Sequence, residues 1–426
     1  MNQRWTMLPI AHASGRSTSS RHRPARADMR RRYASPQLLF TSHGATLMYT
    51  AVIIGATGAG NYGHDLDLAW QLVPEVDVVA VADVDEESAR AKAGELGAPQ
   101  AFGDYREALS SVQPDFVNIC NRQPDVHAEM IHAAIEAGAR GIYCEKPLVR
   151  TPAEADAVIA AASRSHTKIQ VAHTWRIDPA VILMREMIRD GEIGRLVAVH
   201  ATGKNDDRRG GAEDLWVLGV HLMDLMRQVA GDPRQMSGAV FQSGRPVGLP
   251  DVHEGNERIG LIAGDQLFAT YIFEHGVVGT ISSVRTGPGM HRAFGIEVAG
   301  TEGIISMRSH GKRGRELLIN RRPGDDPGVD STWETVPVPD LDAAAIGDTE
   351  GTAHELQLLQ TSMTLDLLHA VEENRRPVCD AIDGRWTVEM VLAVHEAGLT
   401  QETVRFPLQV RDNPYAARRQ MALADV

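Results

Sequence analysis

Lys146 stands in the segment IYCEKPLV (142–149), between a glutamate and a proline, and it is one of only five lysines among 426 residues. Arginine supplies nearly all the other positive charge, so this position uses an amine where the chain usually uses a guanidinium. Burial or a neighbouring cation can lower the pKa of an amine until it exchanges a proton. Pro147 also restricts the lysine backbone to extended geometry. Lys146 is therefore a candidate for proton transfer; the alternative is an ordinary surface lysine.

His221 is the second candidate, in the segment RRGGAEDLWVLGVHLMDLMRQVAG (208–231). Apolar residues recur there at three- and four-residue spacing, which predicts an amphipathic helix over 214–230. Asp214 lies seven residues before His221 and Asp224 lies three after it, so the three side chains could share one face. Imidazole exchanges a proton near neutral pH. The alternative is a histidine that only packs.

A glycine-rich turn is the third feature. The short apolar run TAVIIG (50–55) predicts a buried parallel strand. It leads into ATGAGNYGHDLDLAWQL, in which glycines occupy the GxGxxG positions. They allow the backbone to approach a pyrophosphate, and the helical pattern that follows predicts a helix N-terminus for that anion. The predicted cofactor residues of this turn are Gly58, Gly60, Asn61, Tyr62 and Gly63.

Asp83 ends the next predicted strand, VDVVAVAD (76–83), twenty residues after Gly63. A carboxylate at this place accepts hydrogen bonds from the adenosine ribose and repels a 2′-phosphate. The residues VDEES that follow contain no arginine to bind that phosphate. The sequence therefore predicts NAD in preference to NADP; alternatively, Asp83 only caps the next helix.

Strand and helix patterns alternate up to about residue 172. This alternation predicts an α/β fold with a doubly wound parallel sheet, whose ligands bind outside the carboxyl ends of the strands. Asn121 follows the predicted strand 115–120, and Glu145 and Lys146 end the strand segment GIYCEKP. We expect these three side chains to face one crevice.

Several of these motifs together resemble one family. GxGxxGH (58–64), Asp83, the helix opening DVHAEM (125–130) and CEKPL (144–148) are similar to the glucose–fructose oxidoreductase and inositol dehydrogenase family, also called Gfo/Idh/MocA. The resemblance covers about residues 50–410. It implies an N-terminal Rossmann domain, and a C-terminal α+β domain with a largely antiparallel open sheet.

The same resemblance implies roles for individual residues. The lysine of EKP, here Lys146, would point at the substrate hydroxyl and the nicotinamide, and its bond to Pro147 would be cis. The histidine of GVHxxD, here His221, would be catalytic, and Arg176 would lie near the cofactor. A homodimer or homotetramer, formed through the outer face of the second sheet, is also implied.

Two departures from the family pattern stand out. The stretch CNRQPDVH (120–127) is one residue longer than usual, with Asn121 and Arg122 where Thr-Pro is common. The aspartate that the family carries four residues before its histidine is Val217 here. Asp214 could supply the missing charge; otherwise the acid–base work falls on His221 and Lys146.

These patterns divide the chain into four parts. Residues 1–47 contain eight arginines and one acid, and we expect a disordered extension or sequence read through from an earlier start. RRRYASPQLLF (30–40) also admits a twin-arginine signal, although Pro36 interrupts its apolar part. We expect the dinucleotide-binding domain over 48–172, a substrate and oligomerisation domain over 173–410, and a loose tail over 411–426.

Composition excludes other classes of protein. A net charge of −13 argues against a nucleic-acid partner, and no apolar stretch approaches the roughly 20 residues of a membrane span. Three cysteines without CxxC spacing suit the cytoplasm better than a disulfide framework. No metal site is expected, because Asp206, Asp207, Asp224 and His221 do not form a recognised ligand pattern.

The sequence thus predicts hydride transfer between NAD and a secondary alcohol of a sugar, cyclitol or glycoside. His221 would take the hydroxyl proton while Lys146 contacts the same oxygen. Two alternatives remain open: hydrolysis or lysis of a glycoside through transient oxidation without net redox, and a non-catalytic NAD-binding sensor.

Overall fold

The first sheet holds six short strands, which are parallel throughout. The computed structural model describes residues 48–286, 294–309, 315–321, 333–344, 346–348 and 353–424, so the predicted extension 1–47 lies outside the described residues. The strands of this sheet are β1 (Tyr49–Ile54), β2 (Val76–Ala82), β3 (Gln100–Phe102), β4 (Phe116–Ile119), β5 (Gly141–Cys144) and β6 (Lys168–Val171). Their order is β3-β2-β1-β4-β5-β6, as a doubly wound fold requires.

Four helices cover the two faces of this sheet: α1 (Glu86–Leu96), α2 (Tyr105–Val112), α3 (His127–Glu136) and α4 (Pro152–Ser165). Side chains fix three of their starts. Asp85 and Asp104 accept hydrogen bonds from the backbone of α1 and α2. Thr151 and Glu154 form a capping box on α4, whose first residue is Pro152.

The helix predicted directly after the glycine-rich turn is absent from the described structure. Between β1 and β2 the helical structure is a single 3-10 turn, Leu66–Leu68, and Asp65 before it is left-handed at φ 62°. Side chains bind the carbonyl groups that a helix would use: Asn118 Nδ2 donates to Leu66 O at 2.8 Å, and Thr364 Oγ1 donates to Ala69 O at 2.9 Å. Tertiary partners therefore replace the helical hydrogen bonds.

The second sheet is mixed and has ten strands. They are β7 (Leu196–Thr202), β8 (Pro233–Gln242), β9 (Arg245–Pro246), β12 (Gln266–Phe273), β13 (Val278–Val284), β14 (Phe294–Gly300), β15 (Ile304–Ser309), β16 (Arg315–Asn320), β17 (Glu334–Thr335) and β18 (Val404–Arg405). β7 and β13 are parallel and the other pairs are antiparallel. The short strands β10 (His253–Glu254) and β11 (Leu261–Ile262) pair separately. The predicted fold class is confirmed.

Among the described residues, five helices of more than ten residues belong to the second half of the chain: α5 (Pro179–Arg189), α6 (Val220–Ala230), α7 (Glu355–Glu372), α8 (Ala381–Thr400) and α9 (Pro414–Ala424). α7 and α8 also pack against the first sheet. Gln360 on α7 donates to the backbone of His64 at 2.6 Å. A Cβ on Gly384 would stand 2.9 Å from Leu148, so α8 approaches the segment after β5 closely. Within the described ranges, no helix is both long and apolar enough to span a membrane.

The segment after residue 411 is not loose, and that prediction was wrong. Helix α9 occupies most of it, and Tyr415 is fully buried with its ring 5.3 Å from that of His395. Asn413 fixes the start of the helix, because its Oδ1 accepts from Tyr415 N and its Nδ2 donates to Leu261 O. A short amphipathic segment gave too weak a sequence signal to reveal this packing.

Replacing Tyr415 with alanine should lower the free energy of unfolding by about 3–5 kcal/mol, because it empties a large buried side-chain volume. Urea denaturation measures the change. Met421→Ala, at a position on the same helix that is 57% exposed, is the control and should change stability by less than about 0.5 kcal/mol. Equal stability of the two variants would mean that α9 does not contribute to the core.

Candidate active site

Lys146 lies at the carboxyl end of β5 and is buried. Its bond to Pro147 is cis, as the resemblance implied. The ammonium Nζ donates to the backbone carbonyl of Val217 at 2.9 Å and lies 3.7 Å from Glu145 Oε1. Burial lowers the pKa of Lys146, and Glu145 opposes that shift. Lys146, a side chain of the first domain, is thus held by a backbone carbonyl of the second domain.

Glu145 lies beneath the glycine-rich turn. Its Oε1 is 2.9 Å from His64 Nδ1, and its Oε2 is buried without a hydrogen-bond partner among the described residues. Although burial raises the pKa of Glu145, His64 and Lys146 outweigh it and bring the pKa to about 2. A Cβ on Gly63 would stand 3.3 Å from Oε2 and 2.8 Å from Cys120 O. Position 63 therefore requires glycine, and an ionised carboxylate lies beside Lys146.

His221, on α6, is buried against aromatic rings. Trp175 stacks on it with centroids 5.6 Å apart, and His173 meets it edge-on at 5.2 Å. Its Nδ1 is buried and has no hydrogen-bond partner in the described part of the chain. Burial, reinforced by the charge of Lys146, holds the pKa of His221 well below its ordinary value. The imidazole is therefore neutral at neutral pH and able to accept a proton.

The helix that carries His221 is not regular over 214–230 as predicted. α6 is preceded by a π-helical turn, Leu215–Gly219, and by the short helical segment Ala212–Asp214. π-helical turns are rare, and many occur at functional sites. Val217, where the family carries an aspartate, lies in this turn and presents its carbonyl oxygen to Lys146.

Asp214 is bound by groups other than His221, although its spacing made it a candidate partner for that histidine. Its Oδ2 accepts from Ser283 Oγ at 2.6 Å and from Lys204 N at 2.9 Å. These contacts direct the carboxylate toward the ends of β7 and β13. Burial raises its pKa to about 6. The π-helical turn alters the register of the helix, so seven residues no longer place two side chains on one face.

Arg176 is likewise occupied within the protein instead of standing free for a cofactor. Nε donates to both oxygens of Asp224, at 3.1 and 2.9 Å, and Nη1 donates to Asp383 at 2.9 Å and to Val378 O at 2.6 Å. These bonds link the 3-10 turn after β6, Thr174–Ile177, to α6 and α8. Arg176 is thus a positioning residue in this structure.

The glycine-rich turn keeps the backbone geometry that its motif predicted. Gly58, Gly60 and Gly63 have φ values of 79°, 96° and 69°, which favour glycine. Asn61 Oδ1 accepts from Gly58 N at 3.2 Å and braces the turn. Tyr62, in contrast, is buried under it, with its ring against Gly55. Its side chain is therefore not available to a ligand.

Asp83 is buried at the end of β2 and holds the start of the same turn. It accepts hydrogen bonds from Thr57 Oγ1 at 2.8 Å, from Thr57 N at 3.0 Å and from Asp85 N at 3.0 Å. Capping and cofactor binding were alternatives in the sequence. The structure shows the hydrogen bonds of Asp83 to Thr57 and Asp85. Its carboxylate also lies at the end of β2, the place where a dinucleotide site contacts the adenosine ribose.

Asn121 follows β4, and its Oδ1 is buried without a partner in the described structure. His127 joins this loop to the lysine segment: Nε2 lies 2.7 Å from Asn121 O, and Nδ1 lies 3.0 Å from Pro147 O. The carboxyl ends of β4 and β5 thus meet as predicted, with Asn121, Glu145 and Lys146 at one edge.

His173 is a residue of this region that sequence reasoning missed. It is fully buried, and neither ring nitrogen has a partner among the residues described. Burial lowers its pKa to about 4. The sequence did contain a signal for His173, because this residue stands just after β6 as Asn121 stands just after β4. Asp206, one of the four residues without a recognised ligand pattern, pairs with Lys204 at 3.1 Å. No cluster of three or more metal-ligating side chains occurs in the described ranges.

Replacing Asp214 with asparagine tests whether this buried carboxyl group has a raised pKa and whether His221 works without it. Between about pH 4 and pH 6 the unfolded chain loses the Asp214 proton before the folded protein does, so the wild type loses stability as pH rises. The variant does not titrate, and its stability relative to wild type should rise by up to about 3 kcal/mol across this window. Urea denaturation at several pH values measures this difference. Turnover should persist; its loss would show that Asp214 does assist His221.

Comparisons with known proteins agree with this geometry. The family model described as "Oxidoreductase family, NAD-binding Rossmann fold" matches residues 50–173, and the GFO/IDH/MocA C-terminal domain matches 181–306. Levoglucosan dehydrogenase of Pseudarthrobacter phenanthrenivorans is 28% identical over 283 residues, which are 59% of this chain and 72% of that protein. D-apiose dehydrogenase of Paraburkholderia graminis is 25% identical over 307 residues, 68% of this chain and 76% of the relative.

Solved structures share the fold. An NAD-binding oxidoreductase from Klebsiella pneumoniae has a TM-score of 0.66 at 24% identity, and covers 84% of this chain and 99% of its own. A levoglucosan dehydrogenase complex with NADH and levoglucosan has a TM-score of 0.67 at 22% identity, with the same coverage of both chains. Because both domain models match in order, and the motifs lie where the fold requires them, this chain belongs to the Gfo/Idh/MocA family of oxidoreductases.

Proposed function

We propose that this protein transfers a hydride between NAD and a secondary alcohol of a sugar, cyclitol or glycoside. The observation that carries the proposal is the contact between Lys146 Nζ and the carbonyl of Val217, one turn before His221. It brings an amine of the dinucleotide-binding domain and an imidazole of the second domain to one edge of the first sheet. The sugar class is supported by the relatives named above, whose names specify levoglucosan and D-apiose.

The residues present fit a dinucleotide. The glycine-rich turn has positive φ at Gly58, Gly60 and Gly63, and a Cβ at position 63 would collide with Cys120 O. Asn121 Oδ1 and Glu145 Oε2 are buried polar atoms without partners in the described structure. When bound, NAD supplies the hydride acceptor, and the protein supplies orientation and proton transfer.

His221 would be the general base. Its pKa is held low by burial, so the ring is neutral and can accept the hydroxyl proton as the alcohol is oxidised. The stacked ring of Trp175 fixes the plane of the imidazole. Lys146 would donate a hydrogen bond to the same substrate oxygen and stabilise the negative charge that develops there. Val217 O and Glu145 hold the ammonium in place for this contact.

Substitution of Lys146 by methionine, or of His221 by alanine, should reduce turnover by about 10²- to 10⁴-fold, while direct NADH binding persists. Lys168→Met is a matched control, because Lys168 starts β6 at the amino-terminal ends of the strands, whereas Lys146 lies at their carboxyl ends, and it pairs with Asn374. Its turnover should equal that of the wild type. Full activity of either test variant would contradict the assigned roles.

A screen of polyols, aldoses and glycosides with NAD identifies the reaction class. NADH formation supports the proposal. Release of product from a glycoside without NADH accumulation would indicate transient oxidation instead, and NAD binding without any turnover would indicate a sensor.

We further propose that NAD is preferred to NADP, because the carboxylate of Asp83 lies at the end of β2 and repels a 2′-phosphate. Asp83→Ser should lower the ratio of the NADPH to the NADH dissociation constant by roughly tenfold, which corresponds to about 1.4 kcal/mol. Thr57→Ala is the control, because it removes one hydrogen bond of Asp83 but keeps the charge. It should weaken both cofactors equally; an unchanged ratio in Asp83→Ser would contradict the role of this charge.

A homodimer or homotetramer formed through the outer face of the second sheet is also part of the proposal. Phe268 on β12 is 46% exposed, and an interface on this face would cover its aromatic ring, a residue type enriched at interfaces. The cysteines Cys120, Cys144 and Cys379 are free and buried, which supports a cytoplasmic location.

A further inference from the structure

In the described structure, the glycine-rich turn is not followed by a helix whose N-terminus could face the phosphates of a dinucleotide. In other glycine-rich dinucleotide sites, the positive end of a helix dipole faces the pyrophosphate. Here the described segment 64–75 contains the 3-10 turn Leu66–Leu68 as its helical element. Three residues cannot sum their peptide dipoles as a helix of several turns does. A dinucleotide in this turn would therefore need its positive charge from elsewhere.

Arg122 is the cation that lies on the turn. It follows β4, and its aliphatic stem crosses Gly60 so closely that a Cβ on that glycine would stand 2.7 Å from Arg122 Cβ. The side chain is 27% exposed, so a ligand can reach it. Arg122 also belongs to the stretch CNRQPDVH, which departs from the family pattern in length and composition.

Glu257, in the second domain, holds this arginine in place. Arg122 Nη2 donates to its two oxygens at 3.2 and 3.4 Å. Glu257 and Arg258 are both left-handed, at φ 56° and 55°, a conformation that costs energy outside glycine and persists where contacts enforce it. Arg258 reaches Asp125 of the same first-domain loop at 3.4 Å. A guanidinium has five N–H donors, so contact through Nη2 leaves others for a ligand.

We propose that Arg122 binds the pyrophosphate of the dinucleotide, in place of a helix N-terminus, and that Glu257 positions it. This inference rests on the proposed function, because the ligand is the cofactor of that reaction. It adds a charged side chain of the β4 loop and a second-domain carboxylate to the cofactor site.

Direct NADH binding by the full chain, measured by calorimetry, tests the proposal. Arg122→Gln should weaken NADH roughly 10- to 100-fold, the range of hydrogen bonds to charged groups. Arg122→Lys should show a smaller loss, because it keeps the charge but not the fork. Arg140→Gln is the matched control: this arginine also pairs with a carboxylate, that of Asp115, but at the amino end of β5. It should bind NADH as the wild type does.

Fragments of the cofactor locate the effect. ADP-ribose, which contains the pyrophosphate, should lose affinity for Arg122→Gln by the same factor as NADH, whereas adenosine should bind both proteins equally. Glu257 binds Arg209 as well as Arg122. Glu257→Ala should therefore alter NADH binding in the wild type and have a clearly smaller effect in the Arg122→Gln background, where only its pair with Arg209 remains.

Different outcomes would contradict the pyrophosphate contact, the positioning role of Glu257 and the proposed function. Equal NADH affinity of Arg122→Gln and wild type, or an equal loss for adenosine, would overturn the pyrophosphate contact while leaving the proposed function intact. An effect of Glu257→Ala that persists at full size in the double variant would overturn the positioning role. A wild-type protein that binds no NADH would overturn the proposed function itself.

Discussion

The buried guanidinium of Arg176 is the interaction on which the arrangement of this molecule depends. It joins Asp224 on α6, Asp383 on α8 and the carbonyl of Val378, so three separate parts of the chain meet at one charge. Buried ion pairs gain little when both partners are present, but removing one leaves an uncompensated charge at a cost of about 3–5 kcal/mol. Asp224 lies one turn beyond His221, and this ion pair therefore orients the helix that carries the histidine.

A second constraint operates at the other end of that helix. The π-helical turn places the carbonyl of Val217 2.9 Å from Lys146 Nζ, where the family pattern would provide an aspartate. A neutral carbonyl positions the ammonium without adding a full negative charge beside His221. Burial and the charge of Lys146 keep the imidazole neutral but also weaken it as a base, and its Nδ1 has no carboxylate partner in the described part of the chain. Val217 therefore contributes to the site through its carbonyl contact with Lys146 and not through a charge.

Expectations that followed from strand order were confirmed, and those that needed helical register were not. Asn121 and Glu145 meet at one edge because parallel strands share a direction. The helix after the glycine-rich turn did not form, because side chains from distant elements, Asn118 and Thr364, bind its carbonyl groups. Asp214 was a candidate partner of His221 in a regular helix, and the π-helical turn removed that regularity. Neither the loss of the helix nor the π-helical turn is visible in the local sequence. The residues that bind these segments, Asn118 and Thr364 in the first case and Lys146 in the second, lie far along the chain.

The sequence by itself determined the alternation of elements, the glycine-rich turn and the position of Lys146 after its strand, because these depend on local pattern and on the geometry of a parallel sheet. Only the tertiary structure decided which charges pair. Arg176 was expected near the cofactor and is bound by Asp224, whereas Arg122 lies across Gly60 and is held by Glu257. The physical reason is that an ion pair depends on distance and burial, and the residues that form these pairs are separated by 48 and 135 positions.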